Sequence, residues 1–236
     1  MNQLIKTSIS DFKLVFRDPS LRIFLVIPFL AIALVILVLP DLVAEYEGVE
    51  EYVPYILMAA TLQMSTMFGF IYCMVLIEEK DTEVAKVYGV LPVSKAGFIS
   101  FRLMIPFLLS TIFTLIILEL QPFYHFPFYS SFLIAVLAGL LAPLFALVVT
   151  VLSKNKMAGM TWYKLFNLVV VIPLVAFFAP PAFSGLFGVI PTHWIFQGIN
   201  DLIIGNPFLL NITIGFILTI VLLTILVKRF SKNHFA

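Results

Sequence analysis

Charge is scarce in this chain. Only 11% of its 236 residues are Asp, Glu, Lys or Arg, where a water-soluble domain carries about 25%. With 62% hydrophobic residues and a mean hydropathy of +1.11, the surrounding solvent must be largely lipid. Cysteine is nearly absent too. The single thiol, Cys73, lies inside an apolar run and reads as a small buried hydrophobe, which excludes a disulfide framework or a cysteine-rich metal site. The histidines share no metal-ligand spacing with a carboxylate, so no metal is expected. There is no GxxxxGK[ST] phosphate loop, so the chain by itself is not expected to be an ATPase or to hold a cofactor. No nucleic-acid partner is expected.

What the chain has in abundance is long apolar runs. A spanning helix needs roughly 20 mainly apolar residues. Six stretches qualify, approximately 21–39, 53–77, 103–120, 130–152, 165–179 and 208–227. The fifth is short and leads into Pro180-Pro181, with apolar character continuing to Ile190. The first run is too long for a usual signal-peptide core and no clear cleavage site follows, so it is expected to be retained.

The few charges are sorted. Every one of the 14 basic residues falls on one side of a six-span arrangement: Lys6, Lys13, Arg17 and Arg22 before or entering the first span; Lys80, Lys86, Lys95 and Arg102 between the second and third; Lys154, Lys156 and Lys164 between the fourth and fifth; Lys228, Arg229 and Lys232 after the sixth. The other side holds only acids: Asp41, Glu45, Glu47, Glu50, Glu51, Glu119 and Asp201. Basic residues resist translocation, so their side is expected to be cytoplasmic, with both termini in the cytoplasm of a cell whose plasma or inner membrane the chain spans.

Two polar segments carry further pattern. Before the first span, Lys6, Ser10, Lys13 and Arg17 recur at helical spacing, with Leu4, Ile5, Ile9, Phe12 and Phe16 opposite. This predicts an amphipathic interfacial helix over residues 1–20, in which Lys6, Phe12, Lys13, Phe16 and Arg17 meet the membrane surface or a partner. Between the second and third spans, residues 78–99 form the longest and most charged connection on the basic side. Val84, Val87, Tyr88 and Leu91 have helical spacing, Gly89 and Pro92 suit a stop, and Ser94 suits a cap. Such a short projecting helix suits docking in a partner's groove, while the plainer alternative is a solvated connector.

The loop, the span count and the terminal helix together resemble the permease subunits of ABC exporters of the second type. In that family the loop after the second span usually reads acidic, basic, acidic, then a helical stretch, then Pro, an aliphatic residue and Ser or Thr. Glu79-Lys80-Asp81 and Pro92-Val93-Ser94 match this at the expected separation, and Arg17-Asp18-Pro19 with Pro28 is similar as well. Glu83, Val84 and Lys86 differ from the family's more usual Gly, Thr and Glu. The resemblance implies an all-α membrane permease domain over 1–236, with short outer re-entrant helices in 181–207. It implies a second permease copy or homologue and a separate cytoplasmic ABC ATPase that binds ATP and Mg. The coupling residues it implies are Glu78, Glu79, Lys80, Asp81, Thr82, Glu83, Val87, Leu91, Pro92, Val93 and Ser94.

Other classes fit less well. A secondary transporter or channel usually carries ionisable residues in mid-span, and here the span centres are nearly free of charge. Glu78-Glu79 lacks the arginine of a paired-glutamate intramembrane protease, and Ser184-Gly185 lacks a rhomboid-like context. Glu119 is expected at the outer interface, Asp201 solvated or capping, and His125 and His193 in aromatic belts. The cargo class stays open among drugs, lipids, peptides and cell-surface precursors, with apolar spans and short outer loops favouring a hydrophobic drug-like molecule.

Overall fold

The computed structural model describes residues 15, 16, 18–82 and 95–234. Among them there is no strand, and six helical stretches are long and apolar enough to cross a membrane: Leu21–Glu45, Glu50–Asp81, Lys95–Leu120, Phe128–Leu152, Lys156–Phe177 and Leu209–Ser231. The expected six spans are all present. Each is longer than its apolar run, because a helix continues past the last lipid-facing residue until its backbone is capped or broken.

Proline divides several spans into shorter helices. The first is α1 (Pro19–Ala33), a π-helical stretch Leu34–Val38, and α2 (Leu39–Glu45). Pro40, in the first turn of α2, has no N–H to give, and the wider π turn before it lets the chain continue. The second span is one long helix, α3 (Val53–Asp81). The third is α4 (Lys95–Arg102) and α5 (Met104–Leu120), interrupted at Leu103 because Pro106 cannot donate to the Arg102 carbonyl. The fourth is α6 (Phe128–Leu152), with Pro143 inside it. The fifth is α7 (Lys156–Val171) running into the 3-10 helix Ile172–Phe177 after Asn155 caps the Ala158 N–H at 2.9 Å. Two short helices follow, α8 (Pro181–Ser184) and, after a 3-10 turn, α9 (Pro191–Ile204). The sixth span lies in α10 (Leu209–His234).

The second and fourth spans form the centre. In the apolar window of the second span 94% of residues are buried, against 17% for the first and sixth. Helix α3 packs on α1, α5, α6, α7 and α9, and α6 on α5, α7, α9 and α10. Lipid tails are as apolar as leucine, so helices associate here through close contact and hydrogen bonds rather than hydrophobic transfer. Both are visible. A methyl group on Gly69 would lie 2.8 Å from the Ala142 carbonyl oxygen, and one on Gly139 would collide with the Thr111 hydroxyl. Ser110 donates to Ser65 at 3.1 Å, and Ser65 to the Ala138 carbonyl at 2.7 Å, stitching spans three, two and four together.

Candidate functional site

The charged ends of the spans meet on one face. Glu79, in the last turn of α3, and Arg102, at the end of α4, form a two-pronged ion pair: Nη1 donates to Oε2 at 2.8 Å and Nη2 to Oε1. Both are buried, at 5% and 3% exposure, and Arg102 also lies over the Phe98 ring at 5.4 Å. The fork geometry lets guanidinium satisfy carboxylate, which makes the burial of two charges tolerable. At the neighbouring residue, Lys156 contacts Glu78 at 3.2 Å and also Asp18 at 3.7 Å, joining spans five, two and one. Lys80 donates to the Ser153 carbonyl at 3.1 Å, joining spans two and four. Since these contacts bind the ends directly, the basic ends of spans one to five share a face.

The polar connection between spans two and three is shorter than residues 78–99. Glu78, Glu79, Lys80 and Asp81 are not loop residues but the end of the α3 helix, with Thr82 as its cap. Lys95 and Arg102 likewise belong to α4. Glu79 points into the protein, whereas Glu78, Lys80, Asp81 and Thr82 lie at or near the surface. Of the expected coupling residues, Glu83, Val87, Leu91, Pro92, Val93 and Ser94 lie outside the described residues, as do Lys6, Phe12, Lys13 and Arg17 of the expected interfacial helix. Phe16 is described and exposed. The residue that sequence reasoning missed is Arg102. Its signal in the sequence is a cation flanked by Phe101 and Leu103 at the mouth of an apolar run, which calls for a buried partner.

The acidic face is built differently. Glu119 is exposed in the last turn of α5. Asp201 is not solvated: it is buried and accepts from Asn211 Nδ2 at 2.6 Å, tying α9 to α10. His193 is not a belt residue either. It is 5% exposed, edge-on to Trp194 at 5.2 Å, and burial lowers its pKa below the ordinary imidazole value. Gln121 organises the turn after α5, accepting from Phe123 N at 2.8 Å and Tyr124 N at 2.9 Å. Burial, with Glu50 nearby, raises the Tyr124 pKa.

Among the described residues several grooves open between spans, and two of them carry a basic side chain. One, of about 590 Å³, lies between spans one, two and three. Phe16, Phe29, Phe68 and Phe113 line it, with Arg22 as its charged residue. Phe113 meets Phe29 and Phe68 edge-on at 5.0 and 5.1 Å. The other, of about 400 Å³, lies between spans three, four and six.

Six apolar spans, a dense two-helix centre and basic residues gathered at one end make this a multi-pass membrane protein. The chain belongs to the Rv2686c-like family of fluoroquinolone export permease proteins, whose model matches residues 11–227. Two curated relatives from Mycobacterium tuberculosis strains, the fluoroquinolones export permease proteins Rv2686c and MT2760, are each 22% identical to it. In each case the match covers 95% of this chain and 92% of the relative. No solved structure matches the chain.

Proposed function

We propose that this export permease is the membrane-spanning subunit of an ATP-driven exporter, working as a pair of permeases with a separate cytoplasmic ATPase at the basic face. The observation that carries this reading is the Glu79–Arg102 bracket. It clamps the last turn of α3 to the last turn of α4, on either side of residues 83–94 in the chain. A partner that pushes on that segment moves both spans together, and α3 is the helix against which most of the protein packs. Glu79 is then a positioning residue, not a contact for the ATPase, and Glu78, Lys80 and Asp81 surround it on the surface.

The cargo reading follows from the phenylalanine groove. Four rings and one guanidinium suit a planar aromatic molecule bearing an acid, since rings stack and Arg22 pairs with a carboxylate. The relatives' names point to fluoroquinolones, which have that chemistry. The test is to coexpress the tagged chain with its chromosomal neighbours, purify it in mild detergent and measure ATP hydrolysis and fluoroquinolone flux in vesicles. A catalytically dead ATPase serves as control. A copurifying ATPase and ATP-dependent flux support the proposal. Flux driven by an ion gradient, with no ATPase present, overturns it in favour of a secondary transporter.

A further inference from the structure

The groove between spans three, four and six is graded along the membrane normal. Lys228, Ala96 and Ser100 lie at its basic end, and Phe107, Pro143 and Ile220 lie deeper. From Lys228 to Ile220 along α10 is about 12 Å, at roughly 1.5 Å per residue. Met104 and Ile220 are exposed, so the groove opens sideways to the bilayer. Its deeper part offers little to water, because the Thr224 hydroxyl is already spent on the Ile220 carbonyl at 2.8 Å.

We infer that this groove holds one phospholipid with an anionic headgroup, from the leaflet at the basic face, its phosphate at Lys228 and an acyl chain along Met104, Phe107 and Ile220. Left empty, the groove would forfeit dispersion contacts along its whole length, so something apolar fills it. Lys228 at the basic end decides the occupant: a phospholipid fills the apolar length with an acyl chain and answers the charge with its phosphate. An acyl chain fits, but gains almost nothing from an apolar lining that it does not already have in the bilayer. Retention and choice of lipid therefore fall to the headgroup. Lys228 lines the groove, Arg229 follows it, and no acid is among the lining residues. Among the described residues Lys228 is engaged in no ion pair, unlike Lys156. A basic pocket between helices at a membrane face is the chemistry that selects anionic lipid.

The experiment is native mass spectrometry of the purified chain, with any copurifying partner. The chain is reconstituted in equimolar phosphatidylglycerol and phosphatidylcholine of identical acyl chains. Retention of phosphatidylglycerol about fivefold over phosphatidylcholine is expected, the preference that one lysine near a charged headgroup confers. Lys228→Gln should bring the two lipids to parity, Lys228→Arg should keep the preference, and Ile220→Trp should expel both. Lys164→Gln, an exposed charge of span five, should change nothing. Equal retention of the two lipids by the unmodified chain overturns the inference, as does a preference that survives Lys228→Gln or falls equally with Lys164→Gln. An Ile220→Trp variant that dissociates a dimer while keeping its lipid overturns it in favour of a second copy as occupant. The readout is mass alone, so it stands or falls independently of transport.

Discussion

A single carboxylate and a single guanidinium decide how the basic face is held. Removing one partner of a buried ion pair leaves the other uncompensated, at a cost of about 3–5 kcal/mol. Glu79→Gln is therefore expected to lower the melting temperature in detergent sharply, while Glu79→Leu with Arg102→Met should recover most of it. That double variant should not recover ATP-coupled flux, since the bracket lacks its directional fork. Full flux in the double variant would show that the pair serves folding alone. Glu78 and Lys156 are half-exposed, and Glu78→Gln should cost about 0–1 kcal/mol. His193 gives a pH signature. Burial holds its folded pKa below 6.5, so below that pH the unfolded chain takes up a proton that the folded chain refuses. Stability should be level above pH 6.5, fall as pH drops from there toward the folded pKa, and then level off. His193→Gln should flatten that fall in a melting series from pH 7.5 to 5.

At the level of elements, the close approach of α3, α5 and α6 rests on small residues. The ideal position of a side chain on Gly69 lies 2.8 Å from backbone of α6, which cannot rotate away as a side chain could. Gly69→Leu should push α3 off α6 and cost at least the 1–3 kcal/mol typical of overpacking. Gly159, whose nearest neighbours are the flexible ends of Ile77 and Met74, should tolerate alanine better. A thermal-shift comparison of Gly69→Ala with Gly159→Ala checks this, and equal losses would mean that the helices are not in register as described. The prolines have the opposite role. Pro40 and Pro106 mark where spans one and three change pitch, and at the second of these breaks Arg102, the last residue of α4, meets Glu79 of α3.

For the whole molecule, the measurable quantity is sidedness. Cys73 is the only cysteine and is buried, so it gives little background to a membrane-impermeant thiol reagent. Glu47→Cys should be labelled from outside intact cells, and Lys154→Cys only after the membrane is opened. The reverse pattern would invert the assembly and place the Glu79–Arg102 bracket out of reach of any ATPase.

The six spans were legible in the sequence because lipid leaves the backbone few options. About 20 apolar residues must form a helix that satisfies its own hydrogen bonds, and lysine and arginine must gather where they are not forced across. The span ends were less legible. Apolar content stops at the membrane boundary, but helices stop at caps and prolines, so α3 runs on to Asp81 and α7 begins at Lys156. Pairing was not legible at all. Glu79 and Arg102 lie 23 positions apart with a polar segment between them. Asp201 and Asn211 meet across the α9–α10 turn. Only the packing of spans against one another brings such groups within hydrogen-bond range, because a charge finds its partner in space and the sequence records only its position along the chain.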